Sequence, residues 1–133
     1  MLRNIPHALL SLPKAFRRTA RPRVIMTLLV KNEGVLLEHN LCFHHAMGVD
    51  GFIITDNNST DATPDIIERY RQKGWVLAVI QESGTDYRQK QWVDRMIHLA
   101  RRKFAADWII NADGDEFWYP PMGNFHTQLA NVR

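Results

Sequence analysis

Four short apolar runs, rich in β-branched and aromatic residues and separated by stretches with helical spacing, constrain this chain more than any other feature. The runs are Val24–Val30, Phe52–Thr55, Trp75–Ile80 and Trp108–Ile110. The first is apolar almost throughout, which suits a strand buried on both faces. Val35 to Met47 carries apolar residues at helical intervals, namely Val35, Leu36, Leu37, Leu41, Cys42, Ala46 and Met47, and Gly48 follows as a stop. Thr63-Pro64-Asp65 reads as a helix start, with Asp61 or Thr63 as the cap, a proline at the first position and an acid in the first turn. Ile66, Ile67 and Tyr70 share one side of that helix, which ends at Lys73-Gly74. A longer helix from Arg88 to Phe104 aligns Trp92, Met96, Ile97, Ala100 and Phe104. The order is βαβαβαβ. Apolar strands joined by helical crossovers predict an α/β fold: a Rossmann-like, mostly parallel sheet with helices on both faces.

Charge divides the 133 residues unevenly. Six of the 17 Lys and Arg lie within residues 1–23, which hold no acid, so the rest of the chain carries 11 basic against 14 acidic side chains. A basic segment joined to an acidic body is the wrong distribution for nucleic-acid binding, which wants basic residues on a folded face. Pro6, Pro13 and Pro22 break the first 23 residues into short pieces. They read as a flexible extension. Two other readings are a transit-peptide-like start, and a weak peripheral contact with anionic lipid through Leu9, Leu10, Leu12 and Phe16 beside the arginines. A single cysteine excludes an internal disulfide and a multi-cysteine zinc site. No apolar run has the ~18–20 residues of a membrane span. The expected setting is cytoplasmic, with at most a peripheral contact at the inner face of the membrane.

In open parallel sheets, ligands bind beyond the carboxyl ends of the strands. Those ends read Lys31-Asn32-Glu33-Gly34, Asp56-Asn57-Asn58-Ser59-Thr60-Asp61, Gln81-Glu82-Ser83-Gly84 and Asn111-Ala112-Asp113-Gly114-Asp115-Glu116. Asp113 and Asp115, two residues apart just past a strand, would hold a hard cation, Mn2+ or Mg2+, with Gly114 permitting a close turn. Such cations keep positions open for phosphate oxygens. A solvated turn is the competing reading, and the apolar Phe117-Trp118-Tyr119 that follows is unlike one. Asp56 stands directly off its strand, where either a turn role or a hydrogen bond to a base or ribose fits. Arg88, near the start of the long helix, is a phosphate candidate by its charge. Dinucleotide and P-loop glycine patterns are absent. Cys42 is read as core, and His44 and His45 as surface.

Val24–Glu33, Ile53–Thr63 and Ile109–Trp118 together resemble the nucleotide-sugar half of family 2-like glycosyltransferases with the GT-A fold. The form Asp113-Gly114-Asp115-Glu116-Phe117-Trp118 is most similar to the branch related to glycosyltransferase family 92. The resemblance implies that Asp56 contacts the nucleoside and that Lys31, Asn32 and Glu33 border the base pocket. It also implies that Asp113 and Asp115 hold the metal and, through it, the diphosphate of a nucleotide-diphospho-sugar. The sugar would pass to a hydroxyl of a carbohydrate or lipid-linked acceptor. Asn57 stands where relatives often have a second Asp, which leaves the base preference open. Members of this family continue well past the D-x-D, and their later half supplies the acceptor site and, in inverting enzymes, a general base. The catalytic base therefore has no candidate here. The expected organisation is a basic extension at 1–23, a nucleotide-sugar-binding domain at 24–120, and a tail or the start of an acceptor half at 121–133. Two alternatives remain: a non-catalytic nucleotide-binding or scaffold fragment that needs a partner, and a metal-dependent phosphatase-like enzyme. The latter normally places its D-x-D on the first strand, not the fourth.

Overall fold

The computed structural model describes residues 21–84, 88–130 and 132. Most of the basic extension and the Thr85-Asp86-Tyr87 loop lie outside the described residues. Four parallel strands, β1 (Val24–Val30), β2 (Gly51–Asn57), β3 (Val76–Glu82) and β4 (Trp108–Asp113), form one sheet in the order β3-β2-β1-β4. The helices α1 (Leu37–Ala46), α2 (Thr63–Gln72) and α3 (Gln89–Arg102) connect them in turn. The alternation expected from the apolar runs is thus the architecture observed. A short fourth helix, α4 (Phe125–Ala130), follows β4 and was not anticipated.

The period-two geometry of the strands sorts their side chains between two cores. On one face, Met26, Leu28 and Ile54 pack with Leu37 and Leu41 of α1, Ile66, Ile67 and Tyr70 of α2, and Phe125 of α4. On the other, Ile25 and Ile53 pack with Met96 and Ala100 of α3. Each large side chain fully buried this way contributes roughly 1.5–3 kcal/mol. Gly48 (φ 103) and Gly74 (φ 81) follow α1 and α2 in the left-handed conformation that ends helices.

The central strands β1 and β2 are buried nearly end to end, as a continuous apolar run implies. β4 is an edge strand, and Trp108 at its start is 36% exposed. The stripe expected on the first helix also needs correction. Val35 and Leu36 precede α1 and are exposed, and the inward residues are Leu37, Asn40, Leu41 and His44. Cys42 is exposed, with its Sγ 3.2 Å from the Tyr70 hydroxyl. His44 is wholly buried. Both expectations fail because the helix turns its 37–41–44 stripe inward, which carries position 42 outward and position 44 into the core.

Candidate functional site

β1 and β4 are neighbours, although the chain visits β2 and β3 between them. The crossover from β1 moves to one side and β4 is added on the other, so this is the switch point of the sheet, beside which ligands bind at the carboxyl ends in open α/β folds. Register places Asp113 beside Leu29 and Asp56 beside Val30. Lys31, Asn32 and Glu33 therefore leave β1 between the two aspartates.

The loop after β1 is laced to the loop after β2. Asn32 takes a left-handed conformation (φ 51). Its N–H donates to Ser59 Oγ at 2.9 Å, and its Oδ1 accepts the Thr60 N–H at 2.8 Å. The Glu33 N–H donates to Thr63 Oγ1 at 2.9 Å. Asp61 accepts from the Gly34 and Thr63 N–H groups, each at 2.9 Å, and hydrogen bonds led by that of the Thr63 hydroxyl hold its carboxyl below the usual range. Asp61, not Thr63, thus satisfies the start of α2, and Thr63 faces the β1 loop. Asp56 is 1% exposed, and its Oδ1 accepts the Ser59 N–H at 3.1 Å, so the turn role weighed for it is visible.

On the β4 side, the acidic turn closes on itself. The Glu116 N–H donates to the Asp113 carbonyl at 3.0 Å, while a Glu116 Oε1 accepts the Asp113 N–H at 2.9 Å. The Gly114 N–H donates to the Leu29 carbonyl at 3.2 Å. A Cβ on Gly114 would stand 2.9 Å from both Glu33 Cγ and Val30 Cγ1. Glycine is what lets this turn lie against the β1 loop, and Glu33 is what it touches.

The electrostatics follow from that contact. Burial, then the charges of Asp115, Asp61 and Asp113, push the Glu33 carboxyl above its usual range. Burial, then Glu116 and finally Asp115, push Asp113 upward. Glu33 and Asp113 each carry a neighbouring carboxylate among the causes of their shift, so this end of the sheet is an anionic focus. Among the described residues, no group of three or more His, Cys, Asp or Glu is placed to hold a metal ion. Asp113, Asp115 and Glu33 are oxygen donors of the kind a hard divalent cation takes beside water or phosphate.

Lys31, Asn32, Glu33, Asp56, Asp113 and Asp115 thus lie together at the carboxyl ends of β1, β2 and β4. Arg88 immediately precedes α3, whose Met96 and Ala100 pack on Ile25 of β1 and Ile53 of β2.

Three residues of the site were missed from the sequence. Glu116 braces the acidic turn as described. Asn40 Nδ2, buried on α1, donates to the carbonyls of Gly114 at 3.0 Å and Glu116 at 2.8 Å. His44 Nε2 accepts the Trp118 N–H at 2.9 Å. The available signal was a polar pair at i and i+4 within the inward stripe of an otherwise apolar helix face.

Comparison with known proteins agrees with this geometry. The profile of glycosyltransferase family 92 matches residues 35–132. A glycosyltransferase family 92 protein of Ricinus communis is 27% identical over 124 residues, covering 86% of this chain and 20% of the relative. The solved mannosyltransferase PcManGT from Pyrobaculum calidifontis, in complex with GDP-Man and Mn2+, superposes with a TM-score of 0.59 at 22% identity. That match covers 86% of this chain and 34% of the other. That likeness shows a shared α/β fold. The chain belongs to glycosyltransferase family 92 and spans about a fifth of the Ricinus relative's length.

Proposed function

We propose that this chain forms the donor-binding part of a glycosyltransferase. The observation that carries the reading is the meeting of two acidic segments where β1 and β4 end: Gly114, between Asp113 and Asp115, lies against the Glu33 side chain. Asp113 and Asp115, with Glu33 beside them, would hold Mn2+ or Mg2+. When bound, that cation supplies charge neutralisation for the diphosphate of a nucleotide-sugar. The bound Mn2+ and GDP-Man of the mannosyltransferase support this choice of ligands. Asp56, with Lys31 and Asn32, would border the nucleoside.

In the reaction, an acceptor hydroxyl oxygen bonds to the anomeric carbon as that carbon's bond to the diphosphate oxygen breaks. The hydroxyl proton passes to a base that none of the described residues is assigned to be. The chain's own contribution is to bind the leaving diphosphate and orient the sugar. Calorimetry with GDP and UDP, with and without Mn2+, tests the reading. Binding that needs the metal and disappears in Asp113→Ala and Asp115→Ala supports it, and metal-independent binding overturns it.

A non-catalytic nucleotide-binding unit is the second reading. Sugar transfer by the 133-residue chain alone would rule it out.

A further inference from the structure

Asn40 and His44 are wholly buried on α1, yet beyond their own helix their hydrogen bonds go to a single segment. They engage the Gly114 carbonyl, the Glu116 carbonyl and the Trp118 N–H, one backbone group on every second residue. Contacts so spaced set both the path of the segment and its rotation about its own axis. They thereby set the directions in which Asp113 and Asp115 leave it.

The pair works as one unit. His44 Nε2 can accept from Trp118 only while the ring proton sits on Nδ1. Nδ1 lies 2.9 Å from both the backbone carbonyl and the Oδ1 of Asn40, so Asn40 fixes that tautomer. Its Nδ2 is meanwhile committed to the acidic turn. Phe43 and Phe117 flank the imidazole, with ring centroids at 5.2 and 5.8 Å. Apolar side chains could fill the same volume, but they would leave the carbonyls of Gly114 and Glu116 without these donors.

We infer that Asn40 and His44 are positioning residues for the acidic turn, holding it in the shape that receives the cation and the diphosphate. The inference rests on the donor-site reading above. Residues that orient metal ligands from behind commonly change metal affinity by about 10- to 100-fold when removed.

The test uses the whole chain and four variants: Asn40→Leu, Asn40→Ser, His44→Leu and His44→Gln. Binding of GDP and of UDP with Mn2+ is measured by calorimetry. Exchange of the Trp118 amide is followed in parallel, below each variant's melting temperature. Loss of Asn40 or of the His44 acceptor is expected to weaken binding about tenfold or more and to speed Trp118 exchange. His44→Gln carries an acceptor oxygen as many bonds from the backbone as Nε2, and is expected to restore most of both. If a leucine variant fails to fold, Asn40→Ser, too short to reach the carbonyls, takes its place. Folded variants that bind as the wild type does overturn the inference, as does lost binding with unchanged Trp118 exchange. A wild-type chain that binds neither nucleotide with Mn2+ sinks the donor-site reading first, and this one with it.

Discussion

The backbone N–H of Trp118 donates to Nε2 of His44 at 2.9 Å, so a wholly buried imidazole acts as an acceptor and is neutral. Burial holds its pKa below the usual histidine value of 6.5. A proton on Nε2 would face the Trp118 N–H donor to donor.

The sign of the pH effect follows. Below 6.5 the unfolded chain takes up this proton before the folded one does, so stability is full above that value and falls as pH drops toward the lowered folded value. One such group limits the slope to about 1.4 kcal/mol per pH unit. His45, also lowered by burial, acts in the same direction. Glu33 and Asp113, whose carboxyls are raised, act oppositely at lower pH, adding stability as pH falls through their raised values. Urea unfolding between pH 7.5 and 5 is expected to lose stability with acid in the wild type, and less steeply in His44→Gln. Parallel curves for the two proteins would contradict the assignment of His44 as the buried neutral group.

Asp113 places function and stability in opposition. Its carboxyl is raised by burial and by the neighbouring Glu116 and Asp115, so its charge costs the folded chain something at neutral pH. The residue is largely exposed, and solvent screening keeps that cost below ~1 kcal/mol. Asp113→Asn is expected to raise the melting temperature slightly in the absence of divalent cations. Added Mn2+ should stabilise the wild type and not the variant. Equal Mn2+ stabilisation of both proteins would remove Asp113 from the metal site.

Asn32 carries two loads that substitution can separate. Its left-handed backbone (φ 51) disfavours most side chains, and its Oδ1 accepts the Thr60 N–H that ties the β1 loop to the β2 loop. Asn32→Ala loses the bond and keeps the strain, for an expected cost of about 2 kcal/mol. Asn32→Gly loses the bond without that strain and should cost about half as much. Chemical denaturation of both variants measures the split; equal losses would show that conformation at this position contributes nothing.

How far the sequence revealed this molecule depends on what each residue's type announces. The strands were legible because Val24–Val30 and Phe52–Thr55 can be apolar for so long only between two covering layers. Asp113 and Asp115 were legible because acids directly past an apolar strand contradict its surroundings. Asn40 and His44 were not, since a count of apolar residues prefers Cys42 and Met47 for the inward face. Leu37 and Leu41 set the helix rotation, and that rotation buries the polar pair. The bonds that make this burial tolerable come from residues 114–118, more than 70 positions away in sequence. Local pattern carries no trace of a partner at that distance. Helix α4 escaped notice because six residues with one apolar pair, Phe125 and Leu129, are too short to establish a period.

Gly114 offers the most direct probe of the contact between the β4 turn and the β1 loop. The Cβ of an alanine there would meet Glu33 Cγ and Val30 Cγ1, each at 2.9 Å. Glu33 can swing outward, being the flexible and partly solvated partner. Val30 is 1% exposed in the core and cannot yield without moving β1 or the turn. Overpacking of this kind costs about 1–3 kcal/mol. Gly114→Ala is therefore expected to fold with a lowered melting temperature and to weaken Mn2+-dependent nucleotide binding, since the turn must retreat from the β1 loop. The double variant Gly114→Ala with Val30→Ala should recover part of the binding by opening space beneath the turn, although the core cavity adds its own loss of stability. Nucleotide affinity and melting temperature would then move in opposite directions between the single and double variants. Binding that stays weak in the double variant would place the function of Gly114 in the conformation of the turn itself and not in its approach to β1.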